Sequence, residues 1–226
     1  ICHRKVWIKV MTKHFDKDLI KLNEKISKLG SLIVESSAKS IVMLQNFDLS
    51  IAAEILASEV AVNEMEVEIE NECLKVLALH QPVAADLRFL IVVLKVNNDL
   101  ERMGDQFVNI AERVRFLKDQ PRVVSDIDLV KMGEVGSRMV GLSMTALTMR
   151  DPDIAREVLE MDDALDALHS QSFQLLQDAM RKNNEMITPA ISYMTISSNL
   201  ERLGDLATNI AEEIIFMQEG EVVRHQ

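Results

Sequence analysis

Apolar residues recur at intervals of three and four along most of the chain, which is the period of an amphipathic α-helix. Two stretches carry this pattern as an unbroken stripe that would face the core of a helical bundle. The stripe comprises Leu100, Met103, Phe107, Ile110, Val114 and Leu117 in the first stretch, and Leu200, Leu203, Ala207, Ile210, Ile214 and Met217 in the second. The pattern predicts an all-α protein in which both helices are buried along one side.

The two stretches are copies of one another. Asn97–Phe116 and Ser197–Phe216 align at an offset of 100 residues, with ten of twenty positions identical. Two copies at so long a period indicate a duplicated unit rather than a solenoid. The identities include Glu, Arg, Asp, Asn and Glu as well as apolar residues. The chain is therefore predicted to have two related halves that carry the same site.

Helix-breaking residues divide each half into three helices. In the first half the breaks lie at Asp48–Ser50 and His80–Pro82, and Pro82 suits the first turn of the third helix. In the second half they lie at Asp151–Asp153 and Asn183–Asn184. Short loops between neighbouring helices are typical of antiparallel bundles, so each half is predicted to be a three-helix bundle.

Helix starts and the chain ends complete the predicted organisation. The first helix begins near Phe15, a cap at Ser125 or Asp126 opens the second half, and Thr188 followed by Pro189 opens the last helix. The segment before Met11 resembles neither a signal peptide nor the first helix, and we interpret it as an upstream translation start or a cloning remnant. The predicted units are an extension outside the fold (1–10), a first bundle (11–119), a linker (120–125) and a second bundle (126–226).

Composition narrows the classes of function. The formal net charge of −11 argues against a general nucleic-acid binder, because phosphate contacts need clustered Lys and Arg. It suits cationic ligands, either metal ions or a basic surface on a partner. No apolar run approaches the ~18 residues of a transmembrane helix, and two cysteines are too few for a disulfide scaffold. We expect a cytoplasmic protein without a transmembrane segment, in which Cys73 is a free buried thiol.

The repeated polar residues lie opposite the apolar stripe. At ~100° per residue, Glu101, Asp105, Asn109 and Glu112 gather on the face away from it and would line the outer face of the bundle. Carboxylates one turn apart repel each other, and beside a second acidic helix such pairs commonly hold Mg, Mn, Fe or Ca through oxygen. The candidate metal ligands on these two helices are Glu101, Asp105, Glu201 and Asp205.

The second helix of each half offers further acids. Asn63, Glu66 and Glu70 flank the apolar stripe around Met65, and a similar acidic flank surrounds Leu165. If the second and third helices are neighbours, two acidic flanks converge in each half. The candidates added from the second helices are Glu66, Glu70, Asp162 and Asp166, with Asp163 beside them.

Charged residues opposite an apolar seam are also the ordinary solvated face of a helix. The duplication favours a site, because a solvated face has no need to repeat Glu, Asp, Asn and Glu. Gly104 and Gly204 lie mid-helix at a cost of ~1 kcal/mol relative to Ala, which indicates that a neighbouring helix packs closely there. The histidines share no ligand spacing and are interpreted as surface or capping residues: His14, His80, His169 and His225.

Other function classes stay open at this point: a metal-storing helical protein, a metalloenzyme with di-carboxylate sites, or a purely structural module. Di-metal bundle enzymes use Glu-x-x-His on facing helices with the ligands turned inward, and neither copy contains that motif. The chain also lacks a recognisable nucleophile–base pair and a P-loop. These observations favour a binding protein without catalytic activity.

A run of motifs resembles the PhoU family of phosphate-homeostasis regulators. The sequence QPVAADLR at 81–88 precedes LERMGD at 100–105 and NIAE at 109–112, and the last two return as LERLGD and NIAE in the second half. The resemblance extends from about Met11 to Met217. It implies two tandem three-helix bundles related by pseudo-two-fold symmetry, usually dimeric and without enzymatic activity.

The resemblance also implies a cytoplasmic adaptor between the ATPase subunit of a phosphate ABC transporter and a sensor histidine kinase. Such a protein represses phosphate-starvation genes when phosphate is plentiful. Some members hold metal clusters, including iron, on the bundle surface at E/DxxxD pairs. Carried over by position, the implied ligands are Glu101 and Asp105 with Glu66 and Glu70, and Glu201 and Asp205 with Asp162 and Asp166. The first half differs in its Glu–Glu pair and in having Asn63 at the position of Asp163.

Overall fold

The computed structural model describes the backbone of residues 2–123 and 127–220, and side chains from residue 14 onward within those ranges. The helices are α1 (Cys2–Asn46), α2 (Leu49–His80), α3 (Ala84–Leu117), α4 (Leu129–Met149), α5 (Pro152–Lys182) and α6 (Ile187–Glu219), with a 3₁₀ turn at Asn184–Met186 before α6. No strand occurs in the described ranges, so the all-α prediction is confirmed. No helix among the described residues is long and apolar enough to cross a membrane.

Aspartate caps open three of these helices. The carboxylate of each accepts a hydrogen bond from a backbone N–H of the first turn at 2.8–2.9 Å: Asp48 for α2, Asp128 for α4 and Asp151 for α5. These bonds satisfy donors that the first turn of a helix leaves unpaired. At the other end of the chain, Gly220 closes α6 in the left-handed region at φ 74°. The breaks predicted around Asp48 and Asp151 are confirmed.

The start of α1 was predicted wrongly. The helix begins at Cys2 rather than near Phe15, so the backbone of residues 2–10 belongs to α1. This stretch contains neither Gly nor Pro, so nothing in it terminates the helix that follows. The residues predicted to cap the second half, Ser125 and Asp126, lie outside the described residues.

The starts of α3 and α6 were also predicted wrongly, by a few residues each. Gln81 adopts a left-handed conformation (φ 48°) and Val83 is extended, so Pro82 precedes α3 rather than lying in its first turn. Before α6, Asn183 accepts a hydrogen bond from Glu185 N at 2.9 Å and opens a 3₁₀ turn. That turn runs directly into the helix, which makes a cap at Thr188 unnecessary.

The two halves are α1–α3 and α4–α6, and they share one hydrophobic core. Contacts between halves run along α3 with α6 and along α1 with α4. Among the described residues, α2 and α5 each pack only within their own half. Where α1 meets α4, Ser37 Oγ and Ser137 Oγ share a hydrogen bond of 2.9 Å, which ties the two halves together.

The predicted apolar stripes are the core of the molecule. Every member from Leu100 to Leu117 on α3 is at most 4 % exposed, and every member from Leu200 to Met217 on α6 is at most 9 % exposed. The thiol of Cys73 is free and buried, as predicted. Because both stripes face inward, the opposite sides of α3 and α6 are left to carry the polar residues.

Candidate functional site

The first acidic cluster lies between α2 and α3. Glu101 and Asp105 are half-buried rather than fully outside the bundle, because α2 packs beside them. Burial raises the pKa of Glu101, and the nearby carboxylates of Asp105 and Glu66 raise it further. The structure therefore brings three of the four acids predicted for the first half into one electrostatic neighbourhood. Glu70 is exposed further along α2, where it acts on the thiol of Cys73.

The second acidic cluster lies between α5 and α6 and is stronger. Burial raises the pKa of Asp162 to about 6, with contributions from Asp166, Asp205 and Asp163. Burial also raises the pKa of Glu201, as do Asp205, Asp166 and Asp162. All four acids predicted for the second half are thus brought together.

Two glycines let the second helix of each half approach the third. A Cβ on Gly204 would stand 2.6 Å from Leu165 Cδ2, with Asp162 Oδ1 at 3.5 Å, and a Cβ on Gly104 would stand 3.1 Å from Val62 Cγ1. Both distances are shorter than ordinary van der Waals contact, so the approach depends on the missing side chain. The close packing predicted at these glycines is confirmed. It also places the Asp162 carboxylate directly beside the LERLGD segment of α6.

These glycine contacts also correct the correspondence between the halves. Val62 and Leu165 occupy equivalent places, and they are 103 positions apart rather than 100. On this register the counterparts of Asp162 and Asp166 are Glu59 and Asn63, not Glu66 and Glu70. The similar segments IAAEIL at 51–56 and IAREVL at 154–159 carry the same offset of 103 in the sequence. The offset of 100 taken from α3 and α6 does not extend to α2 and α5, because the loops that follow them differ in length.

Four polar residues that the sequence did not assign to the candidate site lie beside the clusters. His169 Nδ1 lies 2.9 Å from Ser197 Oγ, and His169 acts electrostatically on Glu201. In the first half, the buried side chain of Asn97 donates from Nδ2 to the carbonyl oxygen of Glu66 at 2.9 Å, and Glu59 is half-buried on α2. The interpretation of His169 as a surface or capping residue is wrong, since it is half-buried between α5 and α6. The 103-residue offset between the similar segments could have predicted Glu59 from the sequence. No sequence feature near His169, Asn97 or Ser197 indicates their contacts.

The clusters are deficient in positive charge. None of the eight predicted carboxylates forms an ion pair in the described part of the chain. Arg102 and Arg202 act on Glu101 and Asp205 only through space. In the same part of the chain, no three His, Cys, Asp or Glu side chains already stand at the spacing of a metal coordination sphere. The observed state is therefore a set of partly desolvated, mutually repelling carboxylates rather than a preformed cage.

These donors fit hard or borderline divalent cations. Carboxylate oxygens are the preferred ligands of Mg, Ca and Mn and also serve Fe. A bound cation would offset both the repulsion and the desolvation that raise the pKa of Asp162 and Glu201.

A polar cleft of about 1150 Å³ opens beside the second cluster along the seam between α3 and α6. Asp162 and Asp205 line it, so the cluster is accessible from solvent. Lys95 Nζ crosses the seam to Glu213 Oε1 at 2.7 Å. Burial raises the pKa of Asp99, which also lines the cleft, to about 6.

Fold and site together define a class: a tandem pair of three-helix bundles with an acidic cluster beside the third helix of each. A family model described as the PhoU domain matches residues 26–114 and 129–214. The chain is 33 % identical over 93 % of its length, and 95 % of the relative's, to a phosphate-specific transport system accessory protein PhoU homolog of Aquifex aeolicus. The corresponding homolog of Zymomonas mobilis is 35 % identical over 92 % of this chain and 88 % of its own.

Two solved structures share the whole fold. PhoU from Pseudomonas aeruginosa superposes with a TM-score of 0.87 at 28 % identity, covering 92 % of this chain and 100 % of that one. The phosphate transport system regulatory protein PhoU from Streptococcus pneumoniae gives a TM-score of 0.82 at 30 % identity, covering 93 % and 100 %. The chain belongs to the PhoU family, as the repeated motifs predicted.

Proposed function

We propose that this protein is an accessory regulator of phosphate uptake and phosphate-starvation signalling. The observation that supports this most directly is similarity over nearly the whole length to relatives named as phosphate-specific transport system accessory proteins. Within that role it acts in the cytoplasm, without enzymatic activity, as an adaptor between the ATPase subunit of a phosphate ABC transporter and a sensor histidine kinase. The strongly negative charge supports a role in binding, because it attracts basic surfaces on partner proteins.

The adaptor role is tested in cells that lack their own copy of the protein. Expression of this chain should restore repression of a phosphate-starvation reporter in phosphate-rich medium, and cross-linking should recover the transporter ATPase and the kinase. The adaptor role would be refuted if the reporter stayed derepressed and neither the transporter ATPase nor the kinase was recovered by cross-linking. We also propose that the protein forms a homodimer, as the family resemblance implies, and sedimentation of the purified chain tests this.

We further propose that both acidic clusters hold metal ions, with iron, Mn, Mg or Ca as the candidates. In the second half the ligands are Asp162, Asp166, Glu201 and Asp205. In the first half the ligands from α3 are Glu101 and Asp105. From α2 they are Glu66 and, on the corrected register, Glu59. Glu70, which is exposed further along α2, is the weakest candidate. A bound ion supplies fixed positive charge that offsets the repulsion among these carboxylates.

Elemental analysis tests the metal proposal. Asp105→Ala combined with Asp205→Ala should remove the bound metal and leave the helical content unchanged, because neither side chain lies in the apolar core. Asp178→Ala is the matched control, since the exposed Asp178 pairs with the exposed Arg181 on its own helix. Negligible metal in the wild-type protein, or equal metal in the double variant, would return these acids to the solvated-face interpretation.

A further inference from the structure

The two acidic clusters differ in the chemical type of ligand they offer. On the 103-residue register set by Val62 and Leu165, the counterpart of His169 on α5 is Glu66 on α2. Each of these side chains belongs to its cluster: Glu66 raises the pKa of Glu101, and His169 opposes the raised pKa of Glu201. The first cluster therefore offers only oxygen at this place, whereas the second offers an imidazole.

The helix geometry supports a role for the imidazole in the second cluster. Asp162, Asp166 and His169 follow one another at intervals of four and three residues along α5, so they share one face of the helix. That face lies against α6 where Gly204 permits close approach, with Asp162 Oδ1 3.5 Å from the Cβ position of Gly204. The imidazole is thus on the same side of α5 as the acids and next to the same segment of α6.

Hydrogen bonds around Ser197 hold the ring of His169 in place. His169 Nδ1 lies 2.9 Å from Ser197 Oγ, and Ser197 Oγ also lies 3.4 Å from the buried Met132 Sδ. In the tautomer that carries its proton on Nδ1, the ring donates to Ser197 and keeps its lone pair on Nε2. Metal-binding histidines are commonly held this way, with one ring N–H donated to a neighbouring group and the other nitrogen on the ion.

We infer that His169 is the residue that gives the second site a preference for imidazole-binding transition ions, while the first site, with Glu66 in the same place, takes hard oxygen-loving ions. Imidazole suits Zn, Cu, Fe and Ni, and all-oxygen sites suit Mg, Ca and Mn. The inference rests on the metal-binding part of the proposed function and deepens it. Its consequence is that one chain can respond to two kinds of cation at two related sites.

Titration of the ¹⁵N-labelled full-length protein with Zn²⁺, followed by the ¹H–¹⁵N spectra of the histidine rings, tests this directly. The Nε2 resonance of His169, assigned by its loss in His169→Gln, should shift at the first equivalent while Nδ1 stays protonated. Titration with Mg²⁺ should leave that resonance unmoved. Zn²⁺ that binds tightly without shifting it would overturn the inference and leave the metal proposal standing, whereas no binding of either ion would overturn both.

Exchanging the two residues provides the second test. His169→Glu should weaken the tighter Zn²⁺ site by about tenfold or more and leave Mg²⁺ affinity within about a factor of three, and Glu66→His should strengthen Zn²⁺ binding at the first site. His80→Gln is the control. His80 Nε2 lies 3.0 Å from Asp18 Oδ2, and this pair belongs to neither cluster. Ser197→Ala keeps the ring but removes its anchor, so it should lower Zn²⁺ affinity less than His169→Glu. Equal Zn²⁺-to-Mg²⁺ preference in wild type and His169→Glu would refute the role of His169.

Discussion

At the scale of single residues, Gly204 shows why a poor helix former occupies the middle of a buried helix. Leu165 lies 2.6 Å from the position that a Cβ would take, and Met139 Cε lies at 3.4 Å on another side. Leu165 is fully buried. The intrinsic helix preference for Ala, ~1 kcal/mol, is therefore outweighed by the contact that Gly204 permits. The same contact brings the Asp162 carboxylate into the second cluster.

Gly204→Ala should lower the free energy of unfolding by about 1–3 kcal/mol, because overpacking displaces Leu165. Gly141→Ala is the matched control on a neighbouring helix, since nothing lies within 4 Å of its Cβ position. That control should be neutral or stabilising through helix propensity alone. Urea denaturation of both variants distinguishes them, and a Gly204→Ala variant as stable as Gly141→Ala would contradict the packing argument.

At the scale of helices, the packing of α5 against α6 brings their surface acids together in a partly buried cluster of carboxylates that repel one another. Each helix alone would expose its acids to water, where neighbouring carboxylates interact weakly. Packing removes part of that water, and burial is the first cause of the raised pKa of Asp162, Glu201 and Asp205. The pair of helices therefore stores repulsion that a cation or a proton relieves.

Asp162→Asn should raise the melting temperature at pH 7 in chelator-treated buffer. The pKa of Asp162 lies near 6 in the folded protein against an ordinary value of 3.8, so the folded state binds its proton more tightly than the unfolded state. The contribution of Asp162 to the stability of the wild-type protein is fully present below about pH 4, where its carboxyl is protonated in both states. This contribution is lost as the pH rises through about 6. The advantage of the variant should therefore be absent at pH 4 and complete by pH 7.

Melting curves of both proteins from pH 4 to pH 8 measure this difference. Glu157→Gln removes one charge from an exposed place on the same helix and should show no such pH-dependent advantage. Parallel curves for Asp162→Asn and wild type would show that Asp162 titrates at its ordinary value. Saturating divalent cation should abolish the advantage of the variant if the wild-type cluster binds it.

At the scale of the whole molecule, duplication produced two similar halves whose contact is not itself symmetric. Lys95 of α3 pairs with the largely buried Glu213 of α6 across the seam. The repeat counterparts of these two residues are Thr195 and Arg113, which cannot form the same ion pair. One end of the α3–α6 contact is thus held by a charge pair that the other end lacks. Because the two halves share one hydrophobic core, we expect them to unfold as one cooperative unit.

Lys95→Met should lower the free energy of unfolding by about 1–2 kcal/mol, because it removes the cation beside a buried carboxylate, and unfolding should remain a single transition. Lys75→Met is the control, since Lys75 pairs with Glu72 on the exposed face of its own helix. Differential scanning calorimetry reports both quantities. Two separate transitions in Lys95→Met would show that the halves unfold independently and that the seam holds them only through this pair.

Much of the molecule was predictable from sequence because its signals are local. The apolar period predicted the buried sides of α3 and α6. The breaks at Asp48 and Asp151 predicted the boundaries between α1 and α2 and between α4 and α5. Both signals depend on residues close together in the chain. The start of α1 was missed because a helix without a breaker continues until the chain ends or another contact stops it. The start of α3 was missed because the left-handed conformation of Gln81 is not a usual sequence signal.

The sequence by itself determined the duplication, the six helices, the acidic side of α3 and α6, and the family. Only the tertiary structure decided which residues of α2 and α5 face those acids, since that depends on where two helices touch rather than on spacing within either. The contacts of Gly104 and Gly204 set that register at 103 residues, replacing the counterparts Glu66 and Glu70 with Glu59 and Asn63. The packing of α5 against α6 also brings His169 into the electrostatic neighbourhood of Glu201. Spacing along one helix follows from the geometry of the backbone, but the alignment of two helices is set by the packing of side chains between them.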